Sequence, residues 1–110
     1  MQFTGIVGKG KGFGKTIGFP TANIPLGDTR VSGIFAATVT YEGRAYSAAA
    51  YADQARGLLE AHLLDFSGDL YGKEIVITLG SKVREDAVFD EVDALKGQIA
   101  ADIETIRRLA

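Results

Sequence analysis

Cysteine and tryptophan are absent from this 110-residue chain, and histidine and methionine occur once each. Without cysteine there is no disulfide and no thiolate metal site, and a single histidine argues against an all-protein zinc centre. No apolar run approaches the roughly 20 residues that span a bilayer, and the N-terminus has no signal-peptide core. An excess of charge is missing too: 12 basic against 14 acidic residues give a net charge of −2. A general nucleic-acid binder would carry a basic footprint. The expectation is a cytoplasmic protein with one domain over 1–110, long enough to bury a single core. Neither nucleic acid nor a membrane is an expected partner, and the chain is expected to be a monomer.

Glycine is what the chain has in quantity, with 14 residues, and four of them stand at every second position from Gly8 to Gly14. Glycine amides approach an anion closely because no Cβ intervenes and positive φ is cheap. Lys9, Lys11 and Lys15 add positive charge where phosphates would sit. Two familiar phosphate motifs are nevertheless excluded. Gly14-Lys15-Thr16 resembles the end of a Walker A loop, but the glycine required five residues earlier is Lys9. The strict alternation also breaks the G-x-G-x-x-G spacing of dinucleotide folds.

Directly after the loop comes Gly18-Phe19-Pro20-Thr21-Ala22-Asn23. Pro20 biases Phe19 toward extended backbone, and in an extended segment residues i and i+2 face the same way. The Thr21 hydroxyl and the Asn23 amide oxygen should therefore emerge side by side. Mg²⁺ prefers such oxygen donors and completes its shell with waters and substrate phosphates. A polar turn behind a solvated glycine loop would carry the same residues.

The rest divides into a β-rich body and a helical tail. Strands are expected at Gln2 to Val7, Gly33 to Tyr41, Ala45 to Tyr51, Leu59 to Phe66 and Glu74 to Leu79, with a short stretch at Lys82 to Arg84. Glu42-Gly43-Arg44 reads as a hairpin turn. Strands at this spacing, joined by glycine turns, suggest a small closed barrel. In the tail, Val92, Leu95, Ile99, Ile103, Ile106 and Leu109 recur at helical spacing and form one apolar stripe. Asp90, Glu91 and Asp93 suit the helix start, and Arg107 and Arg108 its end. This helix should pack its stripe on the barrel. Period-two alternation puts Glu60, His62, Leu64 and Phe66 on one strand face. Glu60 there is either a candidate general base or an exposed carboxylate.

Taken in order, the glycine loop, Gly18-Phe19-Pro20-Thr21-Ala22-Asn23, Gly33-Ile34-Phe35-Ala36, Glu60-Ala61-His62-Leu63-Leu64-Asp65-Phe66, Gly68-Asp69-Leu70-Tyr71-Gly72 and the Leu95-x-x-x-Ile99-x-x-Asp102 helix resemble riboflavin kinase. More narrowly, they resemble the kinase module of bacterial bifunctional FAD synthetases. The resemblance covers essentially the whole chain. It implies a mainly β fold: a six-stranded antiparallel Greek-key barrel with a C-terminal α-helix. It also implies transfer of the ATP γ-phosphoryl group to the ribityl 5′-hydroxyl of riboflavin, giving FMN and ADP.

By the same resemblance Thr21 and Asn23 are the Mg²⁺ pair, and Glu60 is the catalytic carboxylate. Gly10, Gly12, Gly14 and Lys15 belong to the loop around the nucleotide phosphates, and Arg84 is a flavin-side or lid residue. Three departures stand out. Gly12-Phe13-Gly14-Lys15 replaces the usual Gly-Arg-Gly-Arg, and a shorter Ala49-to-Gly57 segment replaces Asn-Ile-Gly-x-Arg-Pro-Thr. Arg84-Glu85-Asp86 stands for Arg-Pro-Glu. An adenylyl-transferring module would need on the order of a hundred further residues, so the chain is expected to stop at FMN. The alternative is a non-catalytic flavin- or nucleotide-binding module of the same fold.

Overall fold

The computed structural model describes residues 1–9 and 13–109. Six strands form one antiparallel sheet: β1 (Gln2–Ile6), β2 (Ala22–Pro25), β3 (Gly33–Tyr41), β4 (Arg44–Asp53), β5 (Leu58–Leu63) and β6 (Glu74–Arg84). A one-turn helix α1 (Phe13–Thr16) precedes β2, and α2 (Val92–Leu109) ends the fold. The lateral order is β1-β6-β3-β4-β5-β2. Strands β3, β4 and β5 meander, and β6 returns beside β3, which is the Greek-key arrangement. The sheet curls until its edge strands meet. Gly8 bridges to Asn23, with its N–H on the Asn23 carbonyl at 2.9 Å. A Cβ at Gly5 would stand 3.0 Å from the Ile24 Cβ, so glycine permits the approach. The barrel is nearly closed.

Alternation fills the interior. Ile24 from β2, Val39 from β3, Ala48 and Ala50 from β4, Leu59 and Ala61 from β5, and Ile75 and Ile77 from β6 are all buried in one cluster. The β3–β4 hairpin turns through Glu42 (φ 48°) and Gly43 (φ 78°), two left-handed residues whose twist matches that of the strands they join.

Two strand expectations need correction. The short stretch at Lys82 to Arg84 is no separate strand. It continues β6 past Gly80, with register shifts against β3 between Ile34 and Ala37. Gly80 and Ser81 read as an interruption, but a bulge lets one strand bend and keep pairing. The sixth strand is instead β2, only four residues long, whose pairing with β5 no periodicity could reveal. Similarly, β5 ends at Leu63: the Leu64 N–H makes one further bond to the Ser47 carbonyl at 2.8 Å, and Asp65 then leaves extended backbone at φ 55°.

Helix α2 lies against the outside of the barrel, over β4 and β6. Its expected stripe faces inward at Leu95, Ile99, Ile103 and Ile106, while Val92 and Leu109 at the two ends are exposed. Asp102 sits buried in the middle of that stripe.

Candidate active site

In the antiparallel register of β2 and β5, Asn23 lies directly opposite Glu60, and directly opposed residues share a face. This is the outer face of the barrel, since Ile24, Leu59 and Ala61 occupy the inner one. Thr21 precedes Asn23 by two positions, so it returns to the same side. Its hydroxyl donates to Glu60 Oε1 at 3.2 Å. Three oxygen-bearing side chains from two strands are thus brought together. Asn23 is buried, Glu60 half-buried and Thr21 exposed.

The donor set suits a small hard cation: a hydroxyl, an amide oxygen and a carboxylate within one cluster. Gly8 guards access to it. A Cβ there would come 3.3 Å from Asn23 Oδ1, whereas glycine leaves that oxygen open on its loop side. Among the described residues there is no cluster of three or more histidine, cysteine, aspartate or glutamate side chains. A cation here would have the Glu60 carboxylate as its one charged neighbour in the cluster, beside the neutral Thr21 and Asn23 oxygens, and would complete its shell with waters and substrate phosphates.

His62 fixes the approach to Thr21. Its Nδ1 lies 2.7 Å from the Pro20 carbonyl. A carbonyl only accepts, so Nδ1 carries the proton in this contact. The ring also meets Phe19 edge to face, with centroids 5.6 Å apart. The residue tethers the Phe19-Pro20 segment to β5.

The cluster opens into a groove of about 1340 Å³ on the barrel's outer face. One arm is polar and basic, bounded by Gly8, Lys9, Lys15, Thr21 and Asn23. The other runs beneath α2 and is mostly apolar, bounded by Ile34, Ala49, Tyr51, Phe89, Leu95 and Ile99. Glu60 and His62 border the same groove. Of the loop residues expected at the phosphates, Gly14 and Lys15 fall in α1, and Lys15 faces the groove. Gly10 and Gly12 lie outside the described residues. No Walker A helix follows the loop, because α1 ends within one turn and Gly18 (φ 94°) redirects the chain.

Arg84, expected on the flavin side or in a lid, does border the groove, but its guanidinium is engaged elsewhere. Nε lies 2.9 and 3.0 Å from the two Asp102 oxygens, and Nη2 lies 2.8 Å from Oδ2. Nη1 donates to the Glu85 carbonyl at 3.0 Å. Gln98 adds a further donor to Asp102 at 2.9 Å. The buried carboxylate is satisfied by this fork and anchors α2 to the end of β6.

In the sequence Asp102 stands out only as part of the helix pattern. A carboxylate in the middle of an apolar stripe was the available signal. The pair Tyr51 and Asp86 gave no signal at all. Tyr51 stands opposite Glu60 on the β4 side, and its hydroxyl donates to Asp86 at 3.0 Å. Burial, and then that hydrogen bond, push the Tyr51 hydroxyl above its ordinary range, so it stays a neutral donor. The contact ties the segment between β6 and α2 across the groove.

Comparison with known proteins agrees with this architecture. The bifunctional riboflavin kinase/FMN adenylyltransferase of Pseudomonas fluorescens is 34% identical over 119 residues, covering 100% of this chain and 38% of that protein. The chain thus spans less than two fifths of that relative's length. Riboflavin kinase from Trypanosoma brucei superposes with a TM-score of 0.70 at 27% identity, over 98% of this chain and 78% of that one. A crystal structure described as a macrolide-efflux protein from Streptococcus pneumoniae superposes with a TM-score of 0.84 at 31% identity, over 96% of this chain and 38% of that one. The flavokinase family model, described as riboflavin kinase, matches residues 1–110, so this chain belongs to the riboflavin kinase family.

Proposed function

We propose that the chain phosphorylates riboflavin: the ribityl 5′-oxygen attacks the γ-phosphorus of ATP, the bond to the β-phosphate oxygen breaks, and FMN and ADP form. The observation that carries this reading is the Thr21, Asn23 and Glu60 cluster, assembled across β2 and β5 at the junction of a basic and an apolar arm. Lys15 and the glycine loop suit the nucleotide phosphates, and the apolar arm under α2 suits a flat isoalloxazine ring. The reacting atoms then meet beside Glu60.

Thr21 Oγ1 and Asn23 Oδ1 would hold Mg²⁺, which when bound neutralises charge on the ATP phosphates. Glu60 accepts a hydrogen bond from the 5′-hydroxyl, orients it and takes its proton as the new P–O bond forms. Positioning of this kind suits phosphoryl transfer, where the protein forms no covalent bond of its own. Tyr51 and Asp86 hold the segment beside the apolar arm, and Arg84 with Asp102 holds α2. Each chain carries the whole set, so a monomer suffices. The net charge of −2 and the cysteine-free composition suit a cytoplasmic enzyme of small molecules. A binding module without catalysis would require the oxygen pair but not the adjoining carboxylate.

The test is direct. The purified protein is incubated with riboflavin, ATP and Mg²⁺, and the flavins are separated chromatographically. FMN is expected only when both ATP and metal are present. Riboflavin recovered unchanged from folded protein would overturn the proposal.

A further inference from the structure

The β4–β5 turn is short, and nearly every residue in it serves the turn itself. Asp53 Oδ1 accepts the Arg56 N–H at 3.1 Å. Gln54 Nε2 donates to the Asp28 carbonyl at 2.7 Å and to that of Val31, tying the turn to the β2–β3 connection. Gly57 supplies the left-handed closing residue at φ 64°, and its carbonyl accepts the Leu26 N–H at 2.8 Å. Arg56 is the exception, because its side chain reaches beyond the turn as well as pairing within it.

Its side chain points back along the hairpin into the groove. Nη1 lies 3.7 Å from Asp53 Oδ2 and 3.8 Å from Glu60 Oε2. The other Glu60 oxygen is the one that accepts the Thr21 hydroxyl. The carboxylate is therefore bracketed, with a hydroxyl on one oxygen and a guanidinium on the other. Asp53 is buried close by, and the same Arg56 nitrogen lies within 4 Å of both carboxylates, so it is the cation that the two share.

We infer that Arg56 is a positioning residue for Glu60. It holds Oε2 and separates Glu60 from Asp53, so that the carboxylate keeps the orientation that serves the acceptor hydroxyl. The inference rests on the kinase reading above and adds to it a residue that the turn brings into place. A half-exposed ion pair at this distance contributes little to folding, so the effect belongs in turnover and not in stability.

The experiment is a double-substitution cycle in the full chain, following FMN formation from riboflavin and Mg·ATP. Arg56→Ala is expected to lower kcat roughly ten- to a hundredfold, as misplacement of a reacting group does. Both KM values and the Kd for Mg·ADP should stay within about twofold, less than the energy of one ordinary contact. Arg56→Lys restores a cation beside Oε2 and should recover most of the loss, which a purely structural role would not require. In a Glu60→Ala background, Arg56→Ala should have no further effect. Multiplicative losses there, or weakened Mg·ADP binding, would overturn the inference and make Arg56 a phosphate contact. Unchanged kcat in Arg56→Ala would overturn it as well. An unsubstituted chain that makes no FMN would remove the kinase reading and this role together, and that result is read before any variant is made.

Discussion

The Arg84 guanidinium on β6 grips the Asp102 carboxylate on α2 through three contacts of 2.8 to 3.0 Å. Arg84 is 21% exposed and Asp102 5% at their side chains. That pair ties α2 to the end of β6 from within the apolar stripe. The Arg84 ring-face contact with Phe89, 5.9 Å from the centroid, extends the tie to the segment before the helix.

Asp102→Ala would leave the Arg84 charge half-buried and unpaired. Breaking a fully buried pair costs about 3–5 kcal/mol, and the residual exposure of Arg84 brings the expectation to about 2–3 kcal/mol. Urea unfolding of both proteins measures it. Equal midpoints would show that the stripe alone holds α2.

Glu60→Gln keeps the shape and the Thr21 contact but removes the proposed proton acceptor. Turnover is expected to fall by about 10²–10⁴-fold, with riboflavin still bound. Steady-state kinetics together with a flavin fluorescence titration separate the two effects. Undiminished kcat would strip Glu60 of the role.

Asn23→Ala removes a buried amide oxygen from the proposed cation site. The Mg²⁺ concentration for half-maximal turnover should rise about tenfold or more, equivalent to about 1.4 kcal/mol of binding. A metal titration of the kinase reaction gives the answer, and an unaltered curve would exclude Asn23 as a ligand.

Away from the groove, Asp28 takes three donors from Arg30: Nε, Nη2 and the backbone N–H, at 2.9 to 3.0 Å. These contacts lower its pKa from 3.8 to about 2. A depressed carboxylate stabilises the fold above its unfolded pKa, and the contribution is lost as pH falls through the folded value. Asp28→Asn should therefore melt slightly lower than the parent at neutral pH. The difference should shrink below pH 3.8 and vanish near pH 2. Melting curves across that range test it, and a constant gap would point to another origin.

Strand and helix content followed from local pattern because each element buries one face and exposes the other. β3 occupies the expected Gly33 to Tyr41, and the hairpin turns where glycine allows positive φ. The motifs also named the chemistry, since a hydroxyl, an amide and a carboxylate keep their donor properties in any fold. The sequence alone determined, by its resemblance, the family and the barrel, and it put forward Thr21, Asn23 and Glu60 as the candidate set that the fold brings together.

Tertiary pairing decided the rest. β2 is too short to announce itself and exists as a strand because β5 lies beside it. Register, not spacing, put Asn23 opposite Glu60 across a separation of 37 positions. The same holds for Arg84, whose partner on α2 is 18 residues away, and for Tyr51, whose hydroxyl meets Asp86 35 residues on. A charged side chain in a sequence shows what it can bind. Only the packed fold shows which partner reaches it first, because burial leaves a charge stable only beside the group that satisfies it.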